Sequence, residues 1–238
     1  MNAFNRYAAI LGFALVSAQV QAVEFSFTSG AAVSPAAFGN TYIATTGGLT
    51  LTASAWSDTA WSKKARANLF ESAALTVAPG FGMGVCNQDE KRNCTSKNNE
   101  DALGNKGADD LVLFSFSSKV SLQSLTTYQV GKDADLSLWA GIGTFSPDGM
   151  TSSAIGTATL YPNTNTVAGI RIVDLSTFNG SYDWLAVATR IGDKNDFAKL
   201  TSLTVTPVAQ PVPDAATWMT MLAGLGLVGF AVKRRTRT

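Results

Sequence analysis

The chain has 238 residues, of which only 15% are charged, and its formal net charge is +1. It contains no histidine, which excludes Ser-His-Asp and Cys-His nucleophiles, histidine general bases and HExxH zinc sites. A charged fraction below the average of about 25% for globular proteins is typical of a β-rich extracellular protein.

The first 22 residues have the three parts of a secretory signal peptide. Arg6 supplies the positive charge, residues 7–16 the apolar stretch, and Val20-Gln21-Ala22 an A-x-A type cleavage site. About ten apolar residues, at roughly 1.5 Å each, are too few to span a hydrocarbon layer of about 30 Å, which argues against a permanent anchor. We therefore expect export through the Sec translocon, cleavage by signal peptidase after Ala22 and a mature chain that begins at Val23.

Residues 23–206 show the period-2 alternation of β-strands. About ten short strands with frequent turns predict an all-β domain, an antiparallel β-sandwich with a jelly-roll-like arrangement. Residues 60–74 contain helix formers, but a strand is preferred over 69–77. The proline-rich residues 207–213 predict a stiff linker out of the domain. The clearest alternating segments, each bounded by Gly, Asn, Asp, Ser or Pro, are 49–54, 111–116, 120–122, 134–139, 184–189 and 200–205.

The two cysteines, Cys86 and Cys94, lie in one loop. In a secreted chain a disulfide between them is the default, and closure of this short loop stabilises a fold by about 2.6 kcal/mol on the chain-entropy model. A redox pair would need C-x-x-C spacing, and a zinc site would need more Cys or His ligands than the chain has.

The densest polar stretch of the chain surrounds this loop. Side-chain oxygens at such density suit Ca²⁺, although no D-x-D-x-D-G calcium loop is present. A solvated loop is the main interpretation, and a calcium site is the alternative. We therefore assign no metal ligand and expect no cofactor, with Ca²⁺ as the one alternative. The members of the stretch are Asn87, Asp89, Glu90, Asn93, Asn98, Asn99, Glu100, Asp101, Asn105, Asp109 and Asp110.

Four of the five tryptophans divide into two groups by their neighbours. Trp56 and Trp61 are followed by Ser-Asp and Ser-Lys pairs, so we expect their indole rings to be exposed. Exposed aromatic rings can stack on sugar rings, which makes these two residues candidate glycan contacts. Trp139 and Trp184 lie within alternating strands and are expected in the core.

The C-terminal segment, residues 212–238, has three parts in a fixed order. Val212-Pro213-Asp214-Ala215 comes first, an apolar run over 218–232 follows, and the basic residues Lys233, Arg234 and Arg235 come after it. The run reaches the lower limit for a transmembrane helix when it is extended back to Ala215. The basic cluster is expected on the cytoplasmic side, so the preceding domain faces outward. A helix on the surface of a soluble domain would show a polar face, whereas here Thr220 is the one polar residue in the run.

This tail resembles the PEP-CTERM sorting signal of Gram-negative bacteria, with Asp214 in place of the usual glutamate and Ala215 in place of the second proline. The resemblance implies that an exosortase cuts near the motif and passes the protein from an inner-membrane intermediate to the cell surface or extracellular matrix. Residues 84–87, Cys94, 102–105 and 110–116 are also similar to a module of other exosortase-dependent surface proteins, in which an aspartate usually stands at the position of Gly104.

Such a tail on a weakly charged β-domain leads us to expect a non-catalytic surface or matrix protein that works by display or by association with exopolysaccharide. An alternative is a carbohydrate-binding β-sandwich module that uses Trp56 and Trp61. A glycoside hydrolase would need two carboxylates, and Glu71 and Glu100 are candidates, but the sequence pairs no carboxylates in space and we do not expect an enzyme. The basic residues form no stripe, so nucleic acid is not an expected partner.

Overall fold

The computed structural model describes residues 21–29, 37–59, 68–90, 101–209 and 220–225. The chain divides into two compact units, Met1–Val208 and Ala209–Thr238. The described residues of the first unit are mostly antiparallel strands, so the prediction of an all-β domain is confirmed. In the second unit, residues 220–225 are helical. Among the described residues, no helix is long and apolar enough to cross a membrane.

Several sequence predictions fall on residues that lie outside the described ranges. They concern most of the signal peptide, one of the two candidate glycan contacts, one of the two cysteines and the sorting motif with its basic cluster. The residues in question are 1–20, Trp61, Cys94, Val212, Pro213, Asp214, Ala215, Lys233, Arg234 and Arg235.

The described strands belong to one antiparallel sheet system with the path β10-β9-β12-β8-β13-β6-β5, from which the other strands branch. A four-residue helix, α1 (Ser152–Ile155), is capped at its N-terminus by Thr151, whose side chain accepts a hydrogen bond from the backbone nitrogen of Ala154. The strands are β1 (Val23–Ser26), β2 (Thr41–Thr46), β3 (Leu49–Ser57), β4 (Glu71–Ser72), β5 (Ala74–Ala78), β6 (Gly82–Cys86), β7 (Leu103–Gly104), β8 (Asp110–Gln129), β9 (Leu136–Gly141), β10 (Thr159–Tyr161), β11 (Gly169–Asp174), β12 (Tyr182–Thr189) and β13 (Phe197–Pro207).

Strand β8 connects two parts of this sheet system. Its first half pairs with β3 and β12, and its second half pairs with β13 and β11. The alternation predicted separate strands over 111–116 and 120–122, and this separation is wrong. No Gly or Pro stands between them, so the strand continues, and β12 adjusts by a register shift between Tyr182 and Trp184.

Two apolar clusters lie on opposite faces of β3 and β8. The main core includes Leu51 and Ala53 of β3 and Val112 and Phe114 of β8. The second cluster lies on the other face; Trp56 packs against it, and its members are Phe70, Leu111, Leu113, Trp139, Trp184, Ala186 and Ala188. Alternate residues of a strand point to opposite faces, which is why neighbours in sequence serve different clusters.

The expectation that Trp139 and Trp184 are core residues is confirmed, since they are 5% and 9% exposed. Gly141 of β9, opposite Trp184 in register, makes the second cluster possible. A Cβ atom at Gly141 would lie 2.2 Å from Cζ2 of the Trp184 indole, so the glycine leaves the space that the ring fills.

Candidate functional site

Three carboxylates meet where the chain enters β9 and β13. One side-chain oxygen from each of Asp133, Asp135 and Asp196 lies within 4.8 Å of the others. Asp135 and Asp196 are buried and Asp133 is half-buried. An isolated parallel bridge joins the backbones of Asp133 and Asp196, so the entries of two strands that are far apart in sequence place these oxygens together. We call this group the aspartate cluster.

Asn105 and the backbone of Asp135 hold Asp196 in position. Asp196 Oδ1 accepts a hydrogen bond of 2.8 Å from the backbone nitrogen of Asp135, and Oδ2 accepts one of 2.7 Å from Asn105 Nδ2. The side-chain oxygen of Asn105 in turn accepts a bond of 3.0 Å from the backbone nitrogen of Asp196. Both carboxylate oxygens of Asp196 therefore have protein donors.

Asp135 is paired with a cation and with a backbone amide. The guanidinium of Arg190 lies 3.1 Å from Asp135 Oδ2, and the backbone nitrogen of Asn163 donates to Oδ1. A second guanidinium, that of Arg171, donates to the backbone carbonyl of Ala134 between the two aspartates. Arg190 therefore neutralises one charge of the aspartate cluster directly.

Within the aspartate cluster, the pKa of Asp196 is raised. Burial, with added repulsion from Asp133 and Asp135, raises the pKa of Asp196 to about 6, while its hydrogen bonds act in the opposite direction. Carboxylate oxygens of this kind suit Ca²⁺. Here the oxygens of Asp135 and Asp196 already accept bonds from the protein, so the arrangement can join β9 to β13 without an ion.

A second pair of carboxylates lines a neighbouring surface pocket of about 260 Å³, which also touches Asn105, Asp193 and Lys194. The backbone nitrogen of Asp109 donates to Asp58 Oδ1 at 2.6 Å. Burial and the nearby Asp58 raise the pKa of Asp109 to about 7, and burial also raises the pKa of Asp58. A carboxyl group that keeps its proton near neutral pH can donate a hydrogen bond to a ligand oxygen.

The polar stretch between 87 and 110 does not converge on one point within the described residues. Asn87 donates to Asp110 at 3.2 Å, Asp101 pairs with Lys199, and Asn105 contacts Asp196. The group of carboxylates close enough to share an ion, searched over the described residues, includes no member of this stretch. The solvated loop therefore stays the main prediction for this stretch, and calcium binding stays the alternative.

The structure places the remaining predicted residues as follows. Trp56 is half-buried, packs against the second cluster and donates from Nε1 to Ser54 Oγ at 2.9 Å. Cys86 is buried at the end of β6 and is not a free thiol. Because Cys94 lies outside the described residues, the pairing of the two cysteines stays a prediction. Glu71 is buried and accepts a bond of 2.8 Å from Thr59, while Glu100 lies outside the described residues.

Sequence reasoning missed the aspartate cluster. The available signals were an Asp-x-Asp pattern, Asp133 and Asp135, before one alternating strand and an Asn195-Asp196 pair before another. Polar residues at strand entries are common in turns, so these signals alone did not indicate a meeting point. Comparison with protein-family models, curated proteins and solved structures gave no match to this chain.

Proposed function

We propose that this protein is a non-catalytic exported protein of the cell surface or extracellular matrix, delivered by an exosortase and associated with exopolysaccharide. The observation that carries the proposal is the order of the C-terminal segment: the motif at 212–215, the apolar run at 218–232 and the basic residues at 233–235. Export through the Sec translocon, signal peptidase cleavage and an inner-membrane intermediate belong to the same proposal.

Two features of the described residues support this organisation. Strand β13 ends at Pro207, and the division between the two compact units follows Val208, so the proline-rich linker begins where the β-domain stops. Met221, Leu222 and Leu225, in the helical residues of the apolar run, are all more than half exposed. Exposed apolar side chains in a helix favour apolar surroundings such as a membrane.

The finer architecture, an antiparallel β-sandwich of jelly-roll type with a C-terminal transmembrane helix, is part of the proposal. The main core supports a sandwich because it combines residues of β1 and β3 with residues of β6, β11 and β13. A non-catalytic role is supported by the hydrogen bonds of the buried carboxylates. Glu71, Asp135 and Asp196 each accept hydrogen bonds from protein groups, which gives them a structural role.

The sorting motif is tested by changing Pro213 and Asp214 to alanine together. Pro213 has a fixed φ and biases Val212 away from helix, which keeps the segment extended for a protease. We expect the double variant to accumulate as a longer, membrane-bound form in fractionated cells, because the apolar run remains attached. The matched control is the double substitution Gln210→Ala and Pro211→Ala in the linker, which should mature normally. Normal maturation of the Pro213/Asp214 variant would mean that the tail is a plain anchor.

Carbohydrate binding by the domain itself is the second candidate function. It is favoured by the surroundings of Trp56, whose half-buried ring borders a row of hydroxyl groups on one face of β3, those of Thr50, Thr52 and Ser54. Sugars bind to surfaces that combine an aromatic ring with hydrogen-bonding groups. We expect Trp56→Ala to lose signals on a glycan array that Ile172→Ala, at an exposed position of β11, retains. An array that gives no signal with the unaltered protein removes this candidate.

A further inference from the structure

A lysine is buried near the start of the last strand. Lys199 of β13 is 5% exposed, and lysine is almost never buried unless it is paired. Its partner is Asp101, which is 6% exposed, with Lys199 Nζ 2.5 Å from Asp101 Oδ2.

Backbone contacts on both sides keep the two groups together. The neighbours of Lys199 pair in register with other strands: Ala198 pairs with Leu103 of β7, and Leu200 pairs with Met83 of β6. The backbone carbonyl of Asp101 accepts a hydrogen bond from Thr76 Oγ1 at 3.3 Å. The two side chains therefore have little freedom to separate, and water has little access to them.

As an ion pair, Lys199 and Asp101 leave one buried carboxylate oxygen without a hydrogen bond in the described part of the chain. Asp101 Oδ1 is buried and, within the described residues, has no hydrogen-bond donor. Removing two charges from water carries a large desolvation cost, and attraction between them offsets it only when their remaining hydrogen-bonding positions are also filled. A neutral product of the same two groups would avoid that cost.

We propose that Lys199 and Asp101 become joined by an intramolecular amide bond. Within the pair the ammonium first passes a proton to the Asp101 carboxylate, which leaves a neutral amine and a carboxylic acid. The Nζ lone pair of Lys199 then attacks Cγ of Asp101, a C–N bond forms, a C–O bond breaks, and one water leaves with the two protons that the nitrogen has lost. Oxidation states do not change and no co-reactant is needed.

Proximity favours this condensation. Two groups fixed in contact react as if at a very high local concentration, and the dry interior disfavours the reverse hydrolysis. The bond would cross-link the segment that precedes β7 to the last strand of the domain, 98 residues further along the chain. Such a link resists unfolding outside the cell in the same way as a disulfide, but reducing agents cannot break it.

Mass spectrometry of the purified full chain tests the proposal directly. After folding and reduction of any disulfide, we expect the measured mass to be lower than the sequence mass, between the same termini, by one water molecule. Fragmentation should yield a branched peptide that contains both Lys199 and Asp101. A folded protein that keeps the full mass to the end of a prolonged incubation would overturn the proposal and leave the pair ionic.

Three variants sharpen this test. Lys199→Arg removes the nucleophile and should keep its full mass, whereas Lys194→Arg, at an exposed position, should still lose one water. Asp101→Asn keeps an electrophilic carbon and should lose one ammonia instead. Loss of water in Lys199→Arg would overturn the assignment.

If a variant does not fold, the mass of the unaltered protein still decides. None of these masses depends on where the cell delivers the protein, so this test and that of the sorting motif fail separately.

Discussion

At the residue scale, buried acids distinguish this otherwise weakly charged domain. Asp110, the first residue of β8, is 2% exposed and accepts hydrogen bonds from Gly104 and Asn87. Burial, with a contribution from the nearby Glu90, raises the pKa of Asp110 well above the usual range. Asp109 and Asp196 are shifted in the same direction. At pH values between its ordinary pKa and its raised pKa, each of these carboxyl groups binds a proton in the folded state that it would release in the unfolded chain.

The pH dependence of stability follows from this difference. The pKa of Asp109 is about 7 in the folded state against 3.8 as its ordinary value. The folded state therefore binds more protons between these two pH values, and the contribution of Asp109 to stability is full below about pH 4 and is lost as the pH rises through 7. We expect Asp109→Asn, which cannot ionise, to gain stability over the unaltered protein as the pH rises from 4 to 7, measured by urea unfolding.

The exposed turn residue Asp148 provides the control for this measurement. Asp148→Asn should leave the free energy of unfolding within about 0.5 kcal/mol of that of the unaltered protein, because the side chain is exposed. A difference between Asp109→Asn and the unaltered protein that stays constant from pH 4 to pH 7 would mean that Asp109 titrates normally in the fold.

At the scale of elements, β8 is the organising strand. It pairs with β3, β11, β12 and β13, and its first five residues, 110–114, are buried on both faces, between the main core and the second cluster. Phe114 illustrates this position, since its side chain is fully buried and its ring stacks on that of Phe27 with 5.4 Å between the centroids. Loss of packing on β8 should therefore destabilise several strands at once.

Phe114→Ala should lower the free energy of unfolding by about 3–5 kcal/mol, because it removes a buried ring and leaves a cavity beside Phe27. Ile172→Ala on β11 is the control, since Ile172 is 71% exposed and its loss should change stability by no more than about 0.5 kcal/mol. Urea unfolding of both variants measures the difference. Equal effects of the two substitutions would contradict the assignment of Phe114 to the main core.

At the scale of the whole molecule, the predicted cleavage site adjoins the first strand of the sheet. Val23 is buried and pairs with Val205 of β13, whereas Ala22 is exposed. A cut after Ala22 would leave β1 intact from its first residue. The peptide bond between the two residues becomes part of a strand end once β1 has paired, so the proposed cut is expected before β1 joins the sheet.

N-terminal sequencing of the exported protein should therefore begin Val-Glu-Phe. Ala22→Arg places a large charged residue where signal peptidase requires a small one and should retain the precursor, whereas Gln21→Arg, one position earlier, should be processed. An exported protein that begins elsewhere would contradict the assigned cleavage site.

Much of the local structure could be predicted from the sequence alone. Alternation located strands over 49–54, 111–116, 184–189 and 200–205, and it placed Trp139 and Trp184 in the core. These features depend on residues a few positions apart, because the pleat of a strand directs alternate side chains to opposite faces. The lack of histidine likewise excluded whole classes of chemistry before any fold was known.

The pairings across the molecule were decided only by the tertiary structure. Asp133 and Asp135 meet Asp196, and Asp101 meets Lys199, over separations of 61 to 98 residues. Strand order brings these groups together, and strand order depends on how two apolar clusters are filled by many segments at once. A local pattern records which face a side chain takes, but it does not record which strand will lie opposite.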